Sequence, residues 1–283
     1  MFDSCSHCTI TDGTERSLLS DKLLGNLLYV SKGLVINAHE SLAQGAFEAN
    51  DLLQNAPDAL HSKPFVEGKD IAQWTFKRVR FLEWGTHRAP ALFSRRSFPE
   101  LLNAPEKLLA ARSPGFTPKV VLDKTGTYWD ASSVGFVPWH LLHGVMNTSI
   151  AKTAKYTHER TTTDEMGLNR EERERLSQQF APGYLLAIMN SRFAQTWLQG
   201  KRRSRIHIYP DDWKALPIPN ASSDHQQALV ELVDDATSLH KQHGVQLLGE
   251  ALAKSLSIQS QINERVNTLY DEALDDIHAQ QIS

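Results

Sequence analysis

Residues 220–283 contain two stretches in which apolar side chains recur at helical spacing, with a glycine between them. In the first, "DHQQALVELVDDATSLHKQH", Asp224 is placed to cap the N-terminus, and the helix is predicted to end near Gly244. Its apolar face comprises Leu229, Leu232, Val233, Ala236 and Leu239. The second stretch carries Leu248, Leu252, Leu256, Ile262, Val266, Leu269 and Leu274, close to the 3.6-residue period. We therefore predict a C-terminal helical hairpin that packs on the rest of the chain or on another protein.

Upstream of the hairpin, short segments alternate apolar and polar residues, which indicates β-strands. A strand, a turn and a second strand are predicted around Val30 to Ile36, with Gly33 as the bend. Two further strands are predicted in "KVVLDKTGTYWDASSVGFVPWHLL", joined by a turn at Lys124 to Gly126, and "RIHIY" is predicted as a short strand.

Two helices are also predicted in this region. A short one begins at Pro99, where Ser97 and Glu100 supply a capping signal. A longer one begins at Pro182 and ends at Gly200, with Leu185, Met189, Phe193 and Trp197 at spacing four. The predicted fold class is α+β: a flexible segment over residues 1–17, a mixed and mainly β domain over residues 18–219, and the hairpin.

Positive charge is concentrated in the first part of the chain and negative charge at its end. From His61 to Val120 there are eleven Lys and Arg against five Asp and Glu, whereas from Ala221 to Ser283 there are three against ten. The cluster "KRRSR" follows the predicted Pro182 helix, and its cations are Lys201, Arg202, Arg203 and Arg205. A second basic patch comprises Lys77, Arg78, Arg80, Arg88, Arg95 and Arg96. Both are candidate DNA contacts, with a solvated surface as the alternative.

Motifs that would mark a self-contained enzyme are missing from the sequence. It has no G-x-G-x-x-G or G-x-x-x-x-G-K loop, no G-x-S-x-G elbow and no H-E-x-x-H helix, so we assign no catalytic or cofactor-binding residue. His140 and His143 could share a ligand, but their spacing is equally that of an amphipathic helix. Cys5 and Cys8 lack a second pair, so no metal site is predicted.

No run of about eighteen apolar residues and no secretory signal pattern occurs, so we expect a cytoplasmic protein without a membrane span.

Five segments in sequence order carry a resemblance to a known family: "YVSKGLVINAHE", "SKPFVEGKDIAQW", "FLEWGTHRAPALFSRRSFPELLNAPEKLL", "LLAIMNSRFAQTW" and "DDWKALPIP". Together they resemble the TaqI-like C-terminal specificity domain, the target-recognition region of adenine-specific DNA methyltransferases in restriction-modification and related phage-defence systems. The tail "SQINERVNTLYDEAL" is similar to the helix that commonly closes such enzymes.

The resemblance implies binding of double-stranded DNA next to a methyltransferase catalytic domain or subunit, which would hold S-adenosylmethionine. The family's cofactor loop and Asn-Pro-Pro-Tyr motif do not occur in this sequence, so we expect a truncated or detached specificity half, and whether the chain is an enzyme stays open. The alternative is a non-catalytic scaffold that docks a protein partner through its C-terminal helices.

Overall fold

A computed structural model describes residues 22–36, 49–86, 89, 97–150 and 168–282. The strands are β1 (Leu28–Lys32), β2 (Leu53–Gln54), β3 (His61–Val66), β4 (Arg80–Glu83), β5 (Lys107–Ala111), β6 (Val120–Asp123), β7 (Tyr128–Trp129) and β8 (Ser133–Pro138). The α-helices are α1 (Leu24–Leu27), α2 (Pro99–Leu102), α3 (Arg170–Ser177), α4 (Pro182–Met189), α5 (Arg192–Lys201), α6 (Pro210–Lys214), α7 (Ser223–His243) and α8 (Gly249–Ile282). Short 3₁₀ helices lie at Ala49–Leu52, Gly68–Asp70 and Trp139–Leu142. The predicted α+β class is confirmed.

The strands form two four-stranded sheets. The first has the order β1-β8-β5-β6 and is antiparallel throughout, with Phe136 of β8 opposite Val30 on one side and Leu108 on the other. The second has the order β2-β4-β3-β7, in which β7 runs parallel to β3 and the other pairs are antiparallel. One apolar core lies between the first sheet and helices α4 to α8, and a second contains residues of both sheets.

The predicted turn after β6 is present, with Gly126 at φ +75°, but the strands that flank it do not pair. β6 belongs to the first sheet and β7 to the second, so the turn carries the chain between sheets. Similarly, β1 ends at Lys32, and Leu34 beyond Gly33 makes a single bridge to Asp130.

Trp129 of β7 locks the two sheets together and is fully buried. A Cβ atom on Gly135 of β8 would lie 2.2 Å from Cζ2 of the Trp129 ring, and one on Gly33 would lie 2.0 Å from its carbonyl oxygen. Neither glycine has a positive φ, so the requirement at both positions is space for Trp129.

The helix predicted from Pro182 to Gly200 is interrupted. α4 ends at Met189, and Ser191 caps α5 by accepting a hydrogen bond from the Ala194 N–H. The side chain of Asn190, in the break, bonds both backbone polar groups of Val120 on edge strand β6. The helix at Pro99 is present, but Ser97 does not cap it, because Phe98 occupies the N-cap position.

The C-terminal hairpin is present as α7 and α8, and it packs on the rest of the chain. Ser222, and not Asp224, caps α7, and Gly244 ends it at φ +80°. The predicted face of α7 is buried at Leu229, Val233, Ala236 and Leu239. On α8 the buried set is Ile258, Ile262, Val266, Leu269 and Tyr270.

The beginning of the predicted α8 stripe is wrong, because Leu248, Leu252 and Leu256 are exposed. Leu247, one residue earlier and therefore rotated by about 100°, occupies the buried position instead.

Two buried tyrosines fix the chain where it crosses into the hairpin. Tyr184 of α4 donates a hydrogen bond to the Pro219 carbonyl at 2.8 Å, and Tyr270 of α8 donates one to the Pro217 carbonyl at 2.5 Å. Burial raises the pKa of both hydroxyls, so both remain protonated donors. No helix within the described ranges is long and apolar enough to cross a bilayer.

Candidate nucleic-acid interface

The "KRRSR" cluster lies where α5 ends and the chain turns toward α6. Lys201 is the last residue of α5, and Arg202 leaves the helix with extended backbone angles. The predicted strand "RIHIY" is wrong, because residues 205–209 form no sheet pairing. They are held instead by the residues that follow β5: the Ile208 N–H donates to the Arg112 carbonyl at 2.8 Å, and His207 Nδ1 lies 2.7 Å from Ser113 Oγ.

Three cations from distant parts of the chain meet at the ring of Tyr209. Lys32 Nζ lies 5.5 Å from the ring centroid, and the guanidinium carbons of Arg112 and Arg203 lie 5.3 Å and 5.5 Å from it. We call these four residues the Tyr209 cluster. Arg112 is also oriented by a 3.2 Å hydrogen bond that it donates to the Ala131 carbonyl. The cluster concentrates positive charge beside a partly exposed aromatic ring, which suits contact with a phosphate backbone.

The predicted contacts of the "KRRSR" cluster differ in their surroundings. Arg203 is engaged by carboxylates: its Nη2 lies 3.3 Å from Asp211 and its Nε 3.4 Å from Asp212. Burial alone would raise the pKa of Asp211, but Lys214 and Arg203 outweigh it and hold the pKa below its ordinary value of 3.8. Arg203 thus carries a structural role in addition to any external contact.

Lys201, Arg202 and Arg205 extend the positive surface beyond the Tyr209 cluster. Lys201 Nζ lies 5.5 Å from the Trp197 ring. Arg202 is partly exposed and Arg205 is exposed, and neither side chain makes an ion pair or hydrogen bond with a residue that the structure describes. These two arginines are therefore the members of the cluster best placed to bind an external anion.

The two chain segments that meet here contain no acidic residue. Residues 108–122 and 189–210 carry Arg112, Lys119, Arg192, Lys201, Arg202, Arg203 and Arg205 and neither Asp nor Glu. We call their joint exposed surface the acid-free surface. Its acidic border begins with Asp211 and Asp212, which pair with Arg203.

The second predicted patch is only partly available for DNA. Lys77 and Arg78 are exposed, and Arg78 lies 3.3 Å from Asp70. Arg80 is a correction: its side chain is buried and ion-paired to Glu67 and Asp70, so it stabilises the fold and does not reach solvent. Arg88, Arg95 and Arg96 lie outside the described residues, as do Cys5 and Cys8.

His140 and His143 do not share a ligand. His140 Nδ1 lies 2.9 Å from Ser177 Oγ, and His143 Nδ1 lies 2.6 Å from Glu174, so the two side chains attach α3 to the 3₁₀ helix at Trp139. Burial lowers the pKa of His140. Over the described part of the chain, no group of three or more His, Cys, Asp or Glu could hold a metal ion.

Sequence reasoning did not single out Lys32, Arg112 or Tyr209. Lys32 ends one strand and Arg112 follows another, and the pairing of β1 and β5 with β8 aligns those ends in a way that no local pattern encodes. A usable signal was the acid-free stretch after β5, "ARSPGFTPK", since a loop with two cations and no acid departs from the mixed charge of an ordinary surface.

Comparison with known proteins does not assign a family. No family model matches the chain, and no curated protein matches its sequence. Among solved structures, the chain has a likeness to the type IIL restriction-modification enzyme MmeI in complex with DNA, with a TM-score of 0.43 and 9% identity. The match covers 92% of this chain and 35% of that one, so the chain spans about a third of that enzyme's length. At this level of similarity, function has to be inferred from the chain's own residues.

Proposed function

We propose that this chain is a sequence-specific DNA-recognition module, the detached or truncated specificity half of an N6-adenine DNA methyltransferase in a restriction-modification system. The observation that carries the proposal is the Tyr209 cluster, in which Lys32, Arg112 and Arg203 converge on one ring at the edge of an acid-free surface. Like charges repel one another, so such a grouping is best explained by an anionic partner.

The chemistry of this surface fits a nucleic-acid backbone. Arginine and lysine on an extended, acid-free surface release counterions from DNA when they contact phosphates, which supplies affinity without sequence preference. Bidentate arginine contacts with guanine would add specificity, and Arg202 and Arg205 are the candidates because their guanidinium groups have no partner among the described residues.

Methyl transfer would be carried out elsewhere. The sequence has no glycine-rich cofactor loop, so we place S-adenosylmethionine and the target adenine in a separate catalytic domain or subunit. A recognition lobe and a catalytic lobe would then enclose the duplex together.

The test is the salt dependence of duplex binding. Fluorescence anisotropy with a labelled duplex, between about 50 and 200 mM salt, should show affinity falling steeply with salt. The R202A/R205A double variant should bind more weakly and flatten the logarithmic slope by about two units, one for each lost contact. The matched control is K241A/K254A, which removes two exposed lysines from the hairpin and should leave the slope unchanged. Binding without salt dependence, or no binding, would contradict the proposal.

A protein-interaction scaffold is the second candidate, and the exposed row of Leu248, Leu252 and Leu256 on α8 favours it. A scaffold would bind its partner through this row, and substitution of these leucines by serine would abolish that binding without altering duplex affinity. The anisotropy experiment separates the two functions, because a scaffold has no reason to release counterions from DNA.

A further inference from the structure

The loop between β5 and β6 presents a phenylalanine to solvent from a stiff support. Pro114 and Pro118 are buried, whereas the three residues between them are exposed, and Phe116 is 81% exposed. Gly115 has φ +83° with no atom near its Cα substituent position, which is the left-handed conformation that glycine adopts after proline in a tight turn. The two prolines and the turn therefore limit the freedom of the chain that presents Phe116.

This loop is fastened to the "KRRSR" segment at two points. Gln199 donates a side-chain hydrogen bond to the Phe116 carbonyl at 3.2 Å, and Ser113 contacts His207 at 2.7 Å. Ile206, in the same segment, is 67% exposed. Phe116 thus stands on the acid-free surface, near the end of α5 that carries Lys201.

An exposed aromatic side chain among cations indicates the chemistry of its partner. A protein that covered Phe116 would also have to cover neighbouring arginines and lysines, whose burial without counter-charges is costly. Duplex DNA satisfies both features at once, because its phosphates pair with the cations and its base stack accepts an apolar wedge. Proteins that bend or open DNA insert phenylalanine, leucine, isoleucine, methionine or proline between base steps in this way.

We propose that Phe116 inserts between base pairs of the duplex that the acid-free surface binds. The inference rests on the proposed DNA-recognition function and adds a wedge that unstacks one step of the bound DNA. The cations would hold the phosphates on both sides of the opened step, and the stiff Pro114–Pro118 loop would reduce the entropy lost on insertion.

The prediction concerns DNA whose stacking is already weakened. Insertion into a duplex with a single mismatch avoids part of the unstacking cost, so the unaltered chain should prefer that duplex over a fully paired one. F116A should lose the preference and bind the mismatched duplex at least about fivefold more weakly, since one base–aromatic contact has about that effect. F116W should retain both. A 2-aminopurine beside the mismatch should change fluorescence with the unaltered chain and F116W, and not with F116A.

Controls separate the wedge from its alternatives. M146A removes another exposed apolar side chain, 95% exposed, and should leave affinity and preference unchanged. R202A/R205A should weaken binding to both duplexes equally.

If F116A matched the unaltered chain on both duplexes, or lost affinity equally on both, insertion would be refuted while DNA recognition stood. If F116A instead abolished binding of a methyltransferase subunit with DNA affinity intact, the loop would be a protein contact and the wedge would also be refuted. No duplex binding by the unaltered chain would overturn the wedge and the proposed function together.

Discussion

The side chain of Asn190 pairs with the backbone of Val120 as a neighbouring strand would. Its amide donates to the Val120 carbonyl at 2.9 Å, and its carbonyl accepts from the Val120 N–H at 3.0 Å. Val120 begins β6, the edge strand of the first sheet, so a single side chain in a helix break satisfies backbone groups that a further strand would otherwise bond. The break between α4 and α5 therefore has a structural purpose.

N190A should lower the free energy of unfolding by about 1–3 kcal/mol, because it leaves the buried Val120 N–H without an acceptor. The Val120 carbonyl keeps a second donor, the Trp74 N–H at 3.2 Å, which limits the loss. Urea denaturation measures the change. N220A is the matched control at an exposed asparagine and should shift stability by no more than about 0.5 kcal/mol. Equal stability of the two variants would contradict a structural role for the Asn190 amide.

G135A should destabilise the fold by about 1–3 kcal/mol, because its new methyl group would overlap the Trp129 ring and force the two sheets apart. Thermal and urea unfolding would measure the loss. W129F, which shortens the ring, should offset part of it in the double variant. G200A is the control, since nothing lies within 4 Å of the added carbon in α5, and it should be neutral or stabilising by up to about 1 kcal/mol.

D123N should destabilise the chain by about 3–5 kcal/mol, because it leaves the ammonium of Lys107 buried without its counter-charge. The two side chains are fully buried, and Lys107 Nζ lies 3.1 Å from Asp123 while also donating to the carbonyls of Leu102 and Ala104. The double variant K107M/D123N should recover part of the loss, since no buried charge remains. If D123N alone were neutral at pH 7, the pair would contribute nothing to stability.

The same pair predicts a pH dependence. Burial by itself would raise the pKa of Asp123, but Lys107 and the hydrogen bonds from Thr125 outweigh it and lower the pKa below its ordinary value of 3.8. A lowered carboxylate pKa stabilises the fold above the ordinary value, and that stability is lost as the pH falls through the lowered pKa. The stability difference between the unaltered chain and D123N should therefore be constant from pH 7 to about pH 5 and shrink below pH 3.8.

Features that depend on neighbouring residues could be predicted from the sequence, and those that depend on distant pairing could not. The hairpin was predictable because helical spacing and Gly244 are local signals. The interruption at Asn190 was hidden, since Leu185, Met189, Phe193 and Trp197 keep spacing four across it and all four are buried in the two helices. Arg80 was misassigned because alternation does not reveal which cation meets Glu67 and Asp70.

The candidate site shows the same division. Lys201 to Arg205 stand out as a run of cations, whereas Lys32 and Arg112 reach Tyr209 only through the order of strands in the first sheet. Phe116 is conspicuous only once its exposure and its hydrogen bond from Gln199 are known.

The two tyrosine hydroxyls at Pro217 and Pro219 decide how motion can pass through the molecule. A crossing between two parts of a chain is the usual place for a hinge, but here it is bonded to α4 by Tyr184 and to α8 by Tyr270. α8 has 34 residues, which corresponds to a rod about 51 Å long, and a rod fixed at this crossing cannot pivot freely there. A load applied near Leu252 would therefore be transmitted to α4, and from α4 through Asn190 to β6 and the loop that carries Phe116.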